Sequence, residues 1–203
     1  EVIGGDGGNI FELILGADSS SDKIISREFY NDKVVDSSSS VTAVAVGGSY
    51  MLAGNSVGLT DAKANDLFEA DNWTYQGKLD GGAIADISFE ADNDYFNALL
   101  KDGRVSSLDA RKQTAKWPRA VCVVHKGDGD CLVGATATSI STDISSEHMI
   151  VVGGGSDDKH TFISNSTNSN TWNKQDISDT SKLNKIRCFG DSQNSQCLAV
   201  GDN

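Results

Sequence analysis

The chain has 203 residues, 38% apolar and 23% charged, a globular rather than a disordered composition and enough length for a real core in one or two domains. Its 17 basic and 29 acidic residues give a net charge of −12. That argues against nucleic acid as a partner, because such affinity comes from Lys and Arg neutralising phosphates, and equally against an anionic membrane surface. No window approaches the roughly 18 apolar residues of a membrane span, so membrane insertion is not expected.

Glycine is abundant at 21 residues and proline scarce at one, Pro118; with many Ser, Asn and Asp, this is what a chain with many tight turns needs. Residues 1–40 give an apolar phrase at Val2-Ile3-Gly4-Gly5, a run over 9–15, a polar turn over 18–22 and a second run over 23–30. Each run has four to eight residues bounded by turn formers, the signal of a strand. Residues 41–83 repeat the order: Val41-Thr42-Ala43-Val44-Ala45-Val46 reads as a buried strand, Tyr50-Met51-Leu52-Ala53-Gly54 follows, and residues 59–68 lead to Trp73-Thr74-Tyr75, with a helical turn open over 62–68. Residues 84–119 begin with the alternating Ile84-Ala85-Asp86-Ile87-Ser88-Phe89 and continue through 95–100, 105–108 and Lys116-Trp117-Pro118-Arg119. Residues 120–147 break the rhythm, with a hairpin-type turn at Lys126-Gly127-Asp128-Gly129-Asp130 and a further alternating run over 137–141. Residues 148–203 restore it: Met149-Ile150-Val151-Val152-Gly153-Gly154, then 159–164, Trp172, 185–190 and Cys197-Leu198-Ala199-Val200-Gly201.

The apolar phrase that breaks on glycine therefore recurs, with a weaker copy at Leu99-Leu100-Lys101-Asp102-Gly103; anchors at residues 5, 54, 101, 153 and 201 are 47 to 52 positions apart. Trp73, Trp117 and Trp172 keep phase with the anchors, following them by 16 to 19 positions. Self-similarity at this period marks a repeat architecture, and four-stranded units of roughly 40–50 residues are what a β-propeller is made of. One sheet cannot bury both its faces, so it must stack on its neighbours. The expectation is an all-β chain, one β-propeller domain (or propeller segment) over 1–203, of about four four-stranded antiparallel blades near 1–40, 41–83, 84–147 and 148–203. A sandwich is the runner-up, and it would not set tryptophans in step with glycines.

Two motifs carry a resemblance. Ser164-Asn165-Ser166-Thr167-Asn168-Ser169-Asn170-Thr171-Trp172 resembles a degenerate Asp-box, the Ser-x-Asp-x-Gly-x-Thr-Trp turn of sialidase-like propellers. Val200-Gly201-Asp202-Asn203 and Gly4-Gly5-Asp6-Gly7-Gly8 resemble the "VGDNG" phrase of propellers of the photosystem II assembly-factor type. Asn168 stands where the box wants glycine or aspartate, and the Trp117 turn has no box. The resemblance implies the fold rather than an activity. Sialidase chemistry needs an arginine triad with a tyrosine nucleophile, and none of the five arginines, Arg27, Arg104, Arg111, Arg119 and Arg187, sits in that family's Arg-Ile-Pro phrase.

Cys122 and Cys131, like Cys188 and Cys197, are separated by eight residues that include turn formers. Four cysteines allow three connectivities. Local pairing across the two turns, 122–131 and 188–197, is the expectation, and four buried thiols are the alternative. Disulfides point to an extracytoplasmic setting: periplasm, cell surface or secreted. A chain that starts at Glu1 also reads as processed or trimmed, which leaves a targeting segment open. No Cys-x-x-Cys pair or histidine cluster gives a zinc spacing, and His125, His148 and His160 lie in separate repeats. No metal site and no cofactor are expected; calcium on the acidic turns over 18–22, 128–130 or 157–158 is the minor alternative, since carboxylate oxygens suit that ion.

These readings favour a non-enzymatic interaction scaffold whose partners are other protein subunits. The alternatives are a glycan-binding lectin, with Trp73, Tyr75, Trp117 and Trp172 stacking on sugars, and a sialidase-like glycoside hydrolase with two carboxylates facing across a cleft. For the tryptophans, packing between blades competes with sugar binding.

Overall fold

The computed structural model describes residues 2–4, 9–14, 23–28, 40–47, 50–55, 59–63, 74–77, 79–80, 82–91, 94–111, 117–123, 125–126, 130–131, 136–143, 148–154, 161–166, 171–177, 182–189 and 194–202. Every regular element among them is a strand, and every pairing is antiparallel between strands consecutive in the chain. The first sheet holds β1 (Val2–Gly4), β2 (Asn9–Ile14) and β3 (Lys23–Glu28). The second holds β4 (Ala43–Gly47), β5 (Tyr50–Gly54), β6 (Leu59–Lys63) and β7 (Thr74–Gly77). The third holds β8 (Ile84–Glu90), β9 (Tyr95–Leu100), β10 (Arg104–Asp109) and β11 (Val121–Cys122). A small hairpin follows, β12 (His125–Lys126) with β13 (Asp130–Cys131). The next four-stranded sheet holds β14 (Thr136–Thr142), β15 (Met149–Gly154), β16 (Thr161–Ser166) and β17 (Asn173–Ile177), and the last pair is β18 (Leu183–Phe189) with β19 (Gln196–Gly201).

Sheets rather than repeats set the unit boundaries. β14 pairs with β15, so Thr136–Thr142 opens the fourth sheet instead of closing the unit expected over 84–147, and β18 with β19 forms a fifth unit inside the span 148–203. Alternation identifies 137–141 as a strand but cannot say which neighbour it pairs with; it pairs with β15, and Asp143 N–H donates to His148 O at 2.9 Å at the end of that pairing. The stretch over 117–120 is likewise not a strand, and the fourth strand of its sheet is the short β11 after it. Residues 59–63 are a strand, β6; 64–70, including most of the stretch where a helical turn was open, lie outside the described residues.

The first strands of successive sheets lie side by side: β4 against β8, β8 against β14, and β14 against β18. Two core clusters fill the spaces between sheets. Ala43, Tyr50, Leu52, Ile84, Ile87, Phe96, Ala98 and Leu100 join the second sheet to the third. Leu99, Val105, Val123, Ala137, Ile140, Met149, Val151 and Trp172 join the third to the fourth. Strand β9 shows why: Phe96, Ala98 and Leu100 serve one cluster, while Leu99 serves the other. At period two, a strand apolar on both faces must be covered on both. Strand β4 is covered less completely than its apolar sequence suggests; Ala43 and Gly47 are buried, but Val46 is 46% exposed.

The repeated phrase becomes a strand each time. Its copies are β1, β5, β9, β15 and β19. β5, β9 and β15 each lie second in a four-stranded sheet and are almost wholly buried. The glycine that ends the phrase has a steric cause: a Cβ on Gly54 would lie 2.6 Å from Ile84 Cγ2, where the chain enters the next sheet, and one on Gly154 would lie 3.2 Å from Lys182 Cγ at the corresponding place.

Candidate functional site

The first strands carry the polar side chains that hold the sheets to one another. Thr42 Oγ1 lies 3.0 Å from Gly54 O in its own sheet and 3.0 Å from Ile84 O in the next. Thr138 does the same one seam further on, 3.0 Å from Val152 O and 2.6 Å from Leu183 O. Between these two lies Asp86, 2% exposed at a register shift in β8. Its Oδ2 accepts from Ser139 Oγ at 2.6 Å, from Ile140 N at 3.1 Å and from Arg187 Nη1 at 3.3 Å, and its Oδ1 accepts from Lys185 Nζ at 2.9 Å. One buried carboxylate thereby ties together three sheets, through β8, β14 and β18. Ser88 and Thr142 extend the same seam, with their hydroxyls 2.9 Å apart.

The last pair of strands presents two unlike faces. In an antiparallel pair, residues directly opposite share a face. Ile186 opposite Ala199 and Cys188 opposite Cys197 form one face, and Ile186 is buried. Lys185 opposite Val200, Arg187 opposite Leu198 and Phe189 opposite Gln196 form the other. There Phe189 is 51%, Leu198 62% and Val200 54% exposed. The same phrase that is buried in β5 and β15 is open in β19.

The expected disulfide Cys188–Cys197 is present, between residues in register across β18 and β19. Cys122 is also disulfide-bonded; Cys131 has its backbone but not its side chain among the described residues. Trp172 is 6% exposed within the second core cluster, so its ring has no free face for a sugar. Trp117 is half-buried against the first cluster. These two tryptophans therefore belong to different seams and do not converge. Trp73 lies outside the described residues, as does the side chain of Tyr75. Of the degenerate Asp-box, residues 167–170 lie outside them too, and so do the acidic turns at 18–22 and 157–158 and Asp128.

Three of the arginines are committed to separate carboxylates. Arg104 bridges Asp102 and Asp80, each at 2.7 Å, and the hydrogen bond it donates to Asp102 leads the effects that raise its pKa. Arg111 holds Asp109 at 2.8 Å, and Arg187 turns to Asp86. They do not form a triad around one anion. His148 sits 3.3 Å from Asp143 across the β14–β15 turn, a turn-closing pair. Among the described residues no group of three or more His, Cys, Asp and Glu side chains gathers that could hold a metal, and no helix is long and apolar enough to cross a membrane.

Sequence reasoning missed Thr42, Thr138 and Asp86. The signal available for the threonines was a β-branched hydroxyl next to alanine at the start of a short strand-like run, Val41-Thr42-Ala43 and Ala137-Thr138-Ser139.

Comparison with solved structures places this arrangement of sheets. The chain is similar to a chain of the nidogen/laminin complex, with 15% identity and a TM-score of 0.62, over 97% of this chain and 73% of that one. It is also similar to the β-propeller domain of Cps50 (Swd1) from Myceliophteria thermophila, with 10% identity and a TM-score of 0.57, over 89% of this chain and 59% of that one. No protein-family model and no curated protein sequence matches the chain. At these identities the likeness is one of fold, and the fold is all-β, a β-propeller or a segment of one.

Proposed function

We propose that the chain is a non-enzymatic interaction scaffold, a single β-propeller domain over 1–203 that works beside other protein subunits in an extracytoplasmic assembly. The observation that carries this reading is the way the polar groups of the first strands are used. Ser139, Lys185 and Arg187 are each bonded to Asp86 across three sheets, which makes a rigid frame and commits both oxygens of this carboxylate to the protein. A rigid frame with loops at its rims is well suited to present a surface to a partner. The Cys188–Cys197 bridge supports the compartment, because such bonds persist where glutathione does not reduce them.

Cross-linking in the native source, followed by mass spectrometry of the recovered protein, tests the scaffold. Cross-links to other proteins are expected. Recovery with intramolecular cross-links alone, or release of sugar from a fluorogenic sialoside by the purified protein, overturns the reading. Alkylation before reduction tests the compartment: cysteines left unlabelled support an oxidising setting, and labelled thiols refute it.

A further inference from the structure

We propose that the seam between the third and fourth sheets binds one water molecule, held by Asn97 Nδ2 and Ser88 Oγ, which joins two hydrogen-bonded pairs into one row. Asn97 lies in β9 and is 1% exposed. Leu99, two residues on, belongs to the core cluster shared with the fourth sheet, so at period two Asn97 faces that seam. Register sets Asn97 directly opposite Ser88 on β8 and Ser107 on β10. On the β10 side, Ser107 Oγ donates to Asn97 Oδ1 at 2.5 Å. Asn97 Nδ2 is buried and has no hydrogen-bond partner among the described residues. Buried polar side-chain atoms are satisfied in the large majority of cases, by protein or by ordered water.

The surroundings decide what the occupant is. An amide N–H needs an acceptor, which excludes a metal cation. Glu90 and Asp109 stand two residues beyond Ser88 and Ser107 on the same face, and both are buried carboxylates, which disfavours an anion beside them. A neutral acceptor remains. It must be small, because opposite residues of an antiparallel pair stand only about 4.5–5.5 Å apart at Cβ. Ser107 closes that distance directly, but the Ser88 hydroxyl is drawn the other way, to the fourth sheet. Ser88 Oγ lies 2.9 Å from Thr142 Oγ1 and accepts from Thr142 N at 3.2 Å. A water beside it accepts from Asn97 Nδ2 and donates to Ser88 Oγ, whose own proton goes to Thr142 Oγ1. The row then runs from Ser107 through Asn97, the water and Ser88 to Thr142, across β10, β9, β8 and β14. Asp86, two residues earlier on β8, joins the same two sheets with its own carboxylate. Where the pair of side chains is too short to meet, a bridging water does that work, and such waters are costly to remove.

The test uses the full chain. Oxygen-17 magnetic relaxation dispersion counts water molecules held for longer than the tumbling time and is blind to exchanging hydroxyl protons. Asn97→Leu keeps the branched shape and removes the donor, and it is expected to lose one such water relative to the unchanged chain. An equal count in both overturns the proposal. A crystal structure of the unchanged chain locates the site: water density is expected about 2.7–3.2 Å from both Asn97 Nδ2 and Ser88 Oγ. Three crystallographic results overturn the proposal: Nδ2 bonded directly to a protein acceptor, the amide turned over so that Nδ2 meets Ser107 and Oδ1 meets a protein donor, or no water density between Asn97 and Ser88. The crystal structure decides the matter even where Asn97→Leu does not fold.

Discussion

Asp86 and Lys185 meet at 2.9 Å although they are 99 residues apart and their strands, β8 and β18, belong to sheets with another sheet between them. The contact spans because Asp86 is also held from β14 by Ser139 Oγ and the Ile140 N–H. Replacing Asp86 by alanine leaves that buried hydroxyl and amide without an acceptor. Each such loss costs about 1–3 kcal/mol. The two half-exposed cations relax into water and add little. Asp86→Ala is therefore expected to lower the unfolding free energy by about 2–6 kcal/mol, read from the urea midpoint at constant m. A change below 0.5 kcal/mol, the usual range of a surface substitution, contradicts a structural role for this carboxylate.

The threonines make a separable prediction. Thr42 and Thr138 each offer one hydroxyl proton to two carbonyls, one in its own sheet and one in the next. Thr→Val keeps the shape and removes the donor. Each change is expected to cost about 1–2 kcal/mol, and Thr→Ser much less, since serine keeps the hydroxyl. Because the two residues serve different seams, the double variant is expected to equal the sum of the singles within about 0.5 kcal/mol. Thermal or urea unfolding of the five variants checks this; a Thr→Ser loss as large as Thr→Val shows that packing, not the hydroxyl, matters.

Gly54 and Ile84 form a steric pair. A methyl on Gly54 would stand 2.6 Å from Ile84 Cγ2 and 2.8 Å from its Cβ, closer than real contacts allow. Gly54→Ala is expected to destabilise by about 1–3 kcal/mol, the usual cost of overpacking. Ile84→Ala alone leaves a cavity at a fully buried position and costs about 2–5 kcal/mol. The pair together is expected to cost less than the sum by about 1 kcal/mol or more, because the new methyl occupies space the isoleucine vacates. Strict additivity in this double-mutant cycle rules out the close approach as the reason for glycine.

The part of the fold that could be read in advance is the part fixed by sterics along the chain. Gly54 announces itself because the Ile84 side chain of the next sheet leaves no room for a Cβ, Gly154 stands in a tighter-than-usual place beside Lys182, and the apolar residues before both are buried. The unit boundary at Thr136 was not legible, because an alternating strand can pair on either side, and this one pairs with β15. Asp86 was hidden for a related reason. In Ile84-Ala85-Asp86-Ile87-Ser88 it reads as a solvent-facing alternate, yet the register shift in β8 and the arrival of β14 bury it. Trp117 and Trp172 kept phase with the glycines because both pack at sheet seams, which is also why recurrence alone could not separate packing from binding.

The final prediction concerns the bridge between Cys188 and Cys197, whose spacing was legible because opposite positions across a short turn are the ones that can be joined. The pair closes a loop with a sequence separation of 9 between strands that, among the described residues, pair only with each other. By loop entropy, such a link stabilises by about 2–3 kcal/mol. The four-stranded sheets have further strands and two core clusters, so the loss in Cys188→Ala with Cys197→Ala is expected to be local. Ile186 remains as a buried anchor, and the Cys188 N–H bond to Ser141 Oγ at 3.0 Å does not need the sulfur. Hydrogen exchange should show amides of β18 and β19 opening about 30- to 160-fold more readily, the factor equivalent to that free energy, while β5, β9 and β15 keep their protection. Slowed or unchanged exchange in β18 and β19 would mean that contacts with β14, not the disulfide, hold this unit in place.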